Sequence, residues 1–110
     1  MQNNGNAIQR TIQRMVNRVV KRFHPERVIL FGSYARGDAG PDSDVDLLVV
    51  MRGPKPKRNA ALEIRAALRN FRVPKDIIVT RSADFAWRKD VIGTIEYPAV
   101  HEGRTMYARA

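Results

Sequence analysis

Cysteine is absent from the 110 residues. That excludes disulfides, cysteine-based zinc sites and thiol catalysis. Aromatic residues are scarce, at 7%. No apolar run comes near the roughly 18 residues that a membrane span needs. The opening Met-Gln-Asn-Asn-Gly-Asn is polar and shows no signal-peptide pattern. The expectation is a cytoplasmic protein with no membrane partner. Acids are also few, 11 against 20 Lys and Arg, for a net charge of +9. A field of that sign favours polyanions, nucleotides or an acidic protein surface. What the chain does have is apolar substance, 44% of its residues, so it can fold and is not compositionally disordered. Its length suits one domain over residues 1–110, with 1–6 as a flexible tail, and leaves no room for a separate acceptor-binding module.

The charge is unevenly placed. Residues 1–37 carry a net +6, residues 38–50 a net −4 from four Asp, residues 51–75 a net +7, and residues 76–110 balance. Clustered carboxylates repel one another, so the acidic block costs stability unless something positive sits among them. Composition alone is equally content with an acidic loop solvated by water and neutralised by nearby Arg.

Ile8, Ile12, Met15, Val16, Val19, Val20 and Phe23 recur at helical spacing over residues 7–23. Pro25 ends that helix near His24. Its other face carries Arg10, Arg14, Arg18 and Arg22, each four residues after the last. Such a stripe reads either as a solvated face or as a docking surface for acidic groups, as does the basic 52–58 loop. Strands are expected at Arg27–Phe31, Asp44–Met51 and Asp76–Thr80. Ser33 stands where it could cap a short helix through Arg36. A second full helix fits 58–71. Helical patterns follow at 84–90 and 91–102, the latter weakened by Pro98. Gly103 suits a C-cap, and 105–108 suits an edge strand. This order predicts an α/β (α+β) fold: a small mixed sheet with helices packed on it. The first two strands could pair in either direction.

Three features converge at one end of that sheet. Gly32-Ser33 follows the first strand directly. Asp44 and Asp46 open the second and, two residues apart, point the same way. Asp76 opens the third strand, placed relative to its apolar run as Asp46 is to Leu47-Leu-Val-Val. Taken singly, each is ordinary: a turn, a cap, a surface acid beside Lys75. Together they put three oxygen-only ligands beside a turn that can cradle phosphate. Hard ligands of that kind fit Mg²⁺ or Mn²⁺. The conjunction describes a metal-assisted phosphoryl or nucleotidyl transfer site. Arg36 is the best local cation for a phosphate, although an ion pair to Asp38 or Asp42 would serve it equally. Tyr34 is expected to pack beside the sheet.

Gly32-Ser33, ten residues, then Asp44-x-Asp46 resembles the defining motif of the DNA-polymerase-β-like nucleotidyltransferases. Phe31-Gly-Ser-Tyr-Ala-Arg-Gly37 and Ser43-Asp-Val-Asp-Leu-Leu-Val49 resemble the minimal nucleotidyltransferases (MNT). The leading helix, Asp76, and Gly103, Arg104 and Tyr107 at the end agree with that likeness. The resemblance implies that Gly32, Ser33 and Arg36 bind the nucleotide. It implies that Asp44, Asp46 and Asp76 are catalytic and hold two metal ions, with Asp76 helping to deprotonate the attacking hydroxyl. It further implies an antitoxin that transfers AMP from ATP to a tyrosine of a HEPN-domain toxin. Two alternatives stay open: an antitoxin acting by contact alone, and a nucleotidyltransferase acting on RNA or a small molecule. Net charge favours RNA, whereas the balanced C-terminal third and the lack of interleaved aromatics do not. His24 and His101 lie outside the constellation.

Overall fold

The computed structural model describes residues 4–109. Helix α1 (Asn4–Phe23) leads, followed by strand β1 (Arg27–Phe31), the four-residue helix α2 (Ser33–Arg36) and strand β2 (Val45–Met51). Helix α3 (Lys57–Ala67), strand β3 (Lys75–Arg81), helices α4 (Ser82–Arg88) and α5 (Glu96–Glu102), and strand β4 (Arg104–Ala108) complete the order. Residues 4–6, expected in a tail, open α1 instead; residues 1–3 lie outside the described residues. Among the described residues no helix is long and apolar enough to cross a membrane.

The sheet is mixed, as expected, with strand order β3-β2-β1-β4. β1 is antiparallel to β2 and β4, and β2 is parallel to β3. The physical reason lies in the connections. Between β1 and β2 the chain has one four-residue helix, too little for a crossover, so it turns straight back. Between β2 and β3 it has all of α3, the usual parallel link.

Alternation divides the sheet into two faces. Val28, Leu30, Val45, Leu47, Val49, Ile77 and Val79 face α1 and α3, where Ile12, Met15, Val16, Val19, Ile64 and Leu68 complete the main core. Each such fully buried aliphatic side chain contributes about 1.5–3 kcal/mol. Ile29, Leu48 and Val50 face the other way, onto Phe85 of α4 and Ala99 of α5. Glu96, also buried, ties α5 to this face: the Thr80 hydroxyl donates to its Oε2 at 2.7 Å, and Arg88 Nε lies 3.4 Å from its Oε1.

Three expected boundaries move. α3 stops at Ala67 rather than residue 71, because the Arg18 guanidinium donates to the Ala67 carbonyl (3.1 Å) and to Asn70 Oδ1 (2.6 Å). Residues 89–95 are turns rather than helix. Gly93 there has a φ of 103°, and the Thr94 hydroxyl accepts from the Tyr97 N–H. α5 therefore starts at Glu96, and Pro98 falls in its first turn, where a missing N–H costs nothing. Ser33 is the first residue of α2 and not its cap; Gly32 holds that position with no side-chain bond.

Gly103 does end α5, but its backbone is extended (φ −85°, ψ −178°) and not left-handed. Its need for glycine is spatial. A Cβ there would overlap the Ala99 carbonyl oxygen and come within 2.7 Å of that of Leu30. Gly103→Ala should therefore cost about 1–3 kcal/mol, as overpacking does, and lower Tm by roughly 10 °C. Gly40, with nothing near its absent Cβ, is the control. Gly40→Ala should melt at or a few degrees above wild type by circular dichroism.

Candidate active site

The C-terminal end of β1 meets the N-terminal ends of β2 and β3. There the register sets Phe31 opposite Asp46, and Asp46 beside Asp76. By alternation Asp46 shares its sheet face with Leu48 and Val50, so the carboxylates lie on the α4/α5 side. Asp44 stands one residue before β2, close enough for its charge to act on Asp46. α4 and α5 leave this end of β2 and β3 open: Asp44 is exposed, and Asp46 and Asp76 are half-buried.

The turn after β1 is built around Asp46. Gly32 has a φ of 74° and a ψ of −156°. A Cβ on Gly32 would coincide with Asp46 Oδ2. The positive φ favours glycine here, and a Cβ would in addition displace the Asp46 carboxylate tip. The sequence-level reason for this glycine was access for a phosphate; the structure puts a carboxylate into that space first. The Gly32 carbonyl accepts from the Ala35 and Arg36 N–H groups, which closes α2 immediately. Ser33 and Tyr34, at the helix start, leave their own N–H groups without intrahelical acceptors.

Electrostatics show how near the acids are. Burial pushes the Asp46 carboxyl above its ordinary value of 3.8, and the charges of Asp76 and Asp44 push it further, while Arg36 opposes them. The Arg36 guanidinium itself lies 3.3 Å from Asp38 and 3.9 Å from Glu102. Asp76 has a partner that sequence reasoning missed: Arg65 of α3 lies 3.4 Å from its Oδ1. Tyr34 packs against the main core, as expected. It also lines a cavity of about 510 Å³ with Ile8, Gln9 and the 37–41 loop.

The fold thus brings Gly32, Ser33, Arg36, Asp44, Asp46 and Asp76 to one sheet end. It does not close the three carboxylates into a metal cage. Among the described residues no group of three or more His, Asp or Glu is gathered tightly enough to hold an ion. The donor chemistry nonetheless suits a hard divalent cation, which commonly takes only one or two carboxylates. The mutual repulsion raising Asp46 is the kind a cation relieves.

The family model "Nucleotidyltransferase domain" matches residues 12–99. "Putative protein adenylyltransferase MJ0141" of Methanocaldococcus jannaschii is 40% identical over 55 residues, 50% of this chain and 54% of that protein. A second protein of that organism, "Putative protein adenylyltransferase MJ0604", is 41% identical over 44 residues, 38% of this chain and 44% of its own. The matched stretch spans about half the length of these curated relatives. A crystal structure of a "putative nucleotidyltransferase" from Sulfolobus solfataricus shares the fold, with a TM-score of 0.62 and 25% identity over 96% of this chain and 84% of that one. A toxin-antitoxin crystallised with AMP-PNP also shares the fold: TM-score 0.57, 20% identity, 88% of this chain and 73% of that one.

Asp46 binds its proton more tightly in the fold than in the unfolded chain, where the ordinary value is 3.8. Its contribution to stability therefore falls as pH rises from that value through the raised folded one, and stays unfavourable above. Asp46→Asn should accordingly raise Tm at neutral pH, and the gain should vanish as pH falls to about 4. Thermal melts in EDTA check this; a variant less stable than wild type at neutral pH contradicts it.

Proposed function

This chain belongs to the nucleotidyltransferase domain family, and on that premise we propose that it transfers AMP from ATP to a tyrosine of a HEPN-type toxin in the cytoplasm, and so acts as an antitoxin. One observation carries the reading: Asp44, Asp46 and Asp76 sit side by side on an open sheet end, next to the Gly32-Ser33 turn. Ser33 and the N–H groups opening α2 bind the triphosphate, with Arg36 beside them. Asp44, Asp46 and Asp76 hold Mg²⁺ or Mn²⁺. Such a cation, when bound, neutralises phosphate charge and lowers the pKa of an oxygen it coordinates. A tyrosine hydroxyl, with an unperturbed pKa near 10, needs such help or a base to attack at neutral pH. Asp76 stands on the strand farther from Ser33, so it serves the acceptor side: its carboxylate takes the proton as the tyrosine oxygen bonds to the α-phosphorus and pyrophosphate leaves.

A protein acceptor is supported from two sides. The curated relatives carry protein adenylyltransferase names. In addition, α4 and the connector that follows it, on the acid-bearing face, expose Trp87 (55%), Ile92 (80%) and Ile95 (42%), apolar surface of the sort that marks protein contacts. The fold neighbour containing AMP-PNP is a toxin-antitoxin.

Calorimetry should show ATP binding that depends on Mg²⁺ and is lost in the Asp44→Asn/Asp46→Asn double variant. Equal affinity without Mg²⁺ removes the site assignment. In a transfer assay, labelled ATP and the partner should give a mass gain of one or more AMP on a partner tyrosine. Asp76→Asn should keep ATP binding and lose about 10²-fold or more in rate, whereas Ser33→Ala should weaken both. A wild type that adds no AMP leaves an antitoxin acting by contact. An Asp76→Asn variant with normal transfer makes the third carboxylate structural.

A further inference from the structure

On the sheet face away from the acids, α1 from Arg14 to Arg22 and Phe71, beyond the end of α3, border an open groove of about 660 Å³. Arg14, Asn17, Arg18, Lys21, Arg22 and Phe71 line it. A second groove continues it past Arg18 and Arg22 to Arg69 and Asn70. We propose that this groove binds a single strand of RNA through its phosphates, independently of the transfer site.

Four observations point there. First, the arginine stripe is not uniformly solvated. Arg18 holds the end of α3 and lies 4.7 Å above the Phe71 ring, so its charge is fixed at the groove floor. Second, among the described residues Arg14, Arg18, Lys21, Arg22 and Arg69 have no acid within ion-pair distance, and they gather along two adjoining grooves. Like charges one helical turn apart destabilise α1 by a few tenths of a kcal/mol per pair, and among the described residues no acid pairs with them to neutralise it.

Third, the groove offers donors and almost no acceptors. The Asn17 side-chain oxygen accepts from Gln13 at 2.8 Å and that of Asn70 from Arg18 at 2.6 Å, which leaves both NH₂ groups to donate. Five cations and two amides facing outward complement phosphate oxygens and the 2′-hydroxyls of RNA. Fourth, an acidic protein would need an apolar anchor, and this groove has none free. Phe71 is 8% exposed and already roofed by Arg18 and Arg14. Of the exposed large hydrophobics, Leu62 stands on α3 but outside the groove lining, and Trp87, Val91, Ile92 and Ile95 lie on α4 and the connector after it.

The expectation against RNA, weighed as the acceptor, rested on the balanced C-terminal third and on the lack of interleaved aromatics. Neither applies to a groove remote from the acids that holds a strand by its backbone. The test is fluorescence anisotropy of a labelled 20-nucleotide oligo(U), titrated with the full chain at several KCl concentrations. Affinity should be micromolar near 0.1 M salt, with a log–log salt slope of about −2 to −3, since each neutralised phosphate on a single strand contributes about −0.7. Arg14→Gln/Arg22→Gln should weaken binding about tenfold or more and make the slope shallower by about 1.4. Circular dichroism verifies its fold, and Arg69→Gln alone, outside α1, provides a second reading with a slope change of about 0.7. Lys55→Gln/Lys57→Gln, an equal loss of charge elsewhere, and Asp44→Asn should leave the groove's affinity within about twofold. No binding at 50 mM salt, or equal weakening by the Lys55/Lys57 variant, overturns the groove. Displacement of the RNA by polyglutamate at equal charge assigns the surface to acidic proteins instead. Oligo(dT) binding as tightly as oligo(U) overturns the assignment to RNA.

Discussion

The site depends on one close approach: the Asp46 carboxylate occupies the space where any other residue at position 32 would place its Cβ. Strand pairing brings Asp46 to that point, because Phe31, the last residue of β1, lies opposite it. The chain must then leave β1 without a side chain and with a positive φ, and only glycine does both without strain. Once Gly32 has turned, its carbonyl collects two N–H groups and α2 begins at once. The Gly32-Ser33 turn and the Asp46 carboxylate are therefore one construction. Neither can be shifted without the other.

That construction is set against stability. Three carboxylates are drawn together on a half-buried sheet end, and Asp46 carries the consequence in its raised pKa. The surrounding protein is basic, yet its bases do not collapse onto the acids. Arg36 approaches Asp46 but is shared with Asp38 and Glu102. The net charge of +9 sets a positive long-range field, against which the acids of this sheet end stand as a local exception.

Much of this was legible in the sequence because strands write their register into alternation. Asp76 could be matched to Asp46 from its offset to Ile77-Ile-Val, and the parallel register pairs those two residues. Other features had no local signal. Arg65 reaches Asp76 only because α3 returns along the edge strand. Glu102 meets Arg36 because α5 delivers its C-terminus to the site end, which no spacing between positions 36 and 102 announces. Residues 91–95 have helical periodicity, but Gly93 and the Thr94 hydroxyl override it. The Ser33 cap failed for a related reason: the turn is governed by a tertiary neighbour, Asp46, and not by local capping. Gly103 looks like a cap in sequence and proves to be a clearance between α5 and β1.

The three acids are not equivalent, and the difference comes from the edge of the sheet. Asp46 is walled in by Gly32 and flanked by the neighbouring strands, so its position is set by backbone. Asp44 enters the strand from an exposed loop. Asp76 lies on β3, the edge strand, which is why a side chain from the opposite layer can reach round to it. Its pair with Arg65 is 3.4 Å long, and both side chains are about half exposed, at 46% and 52%. Pairs of that kind contribute about 0–1 kcal/mol. An interaction that weak leaves Asp76 uncommitted to Arg65, so of the two strand-borne acids it is the less constrained, while Asp46 is fixed in register between β1 and β3.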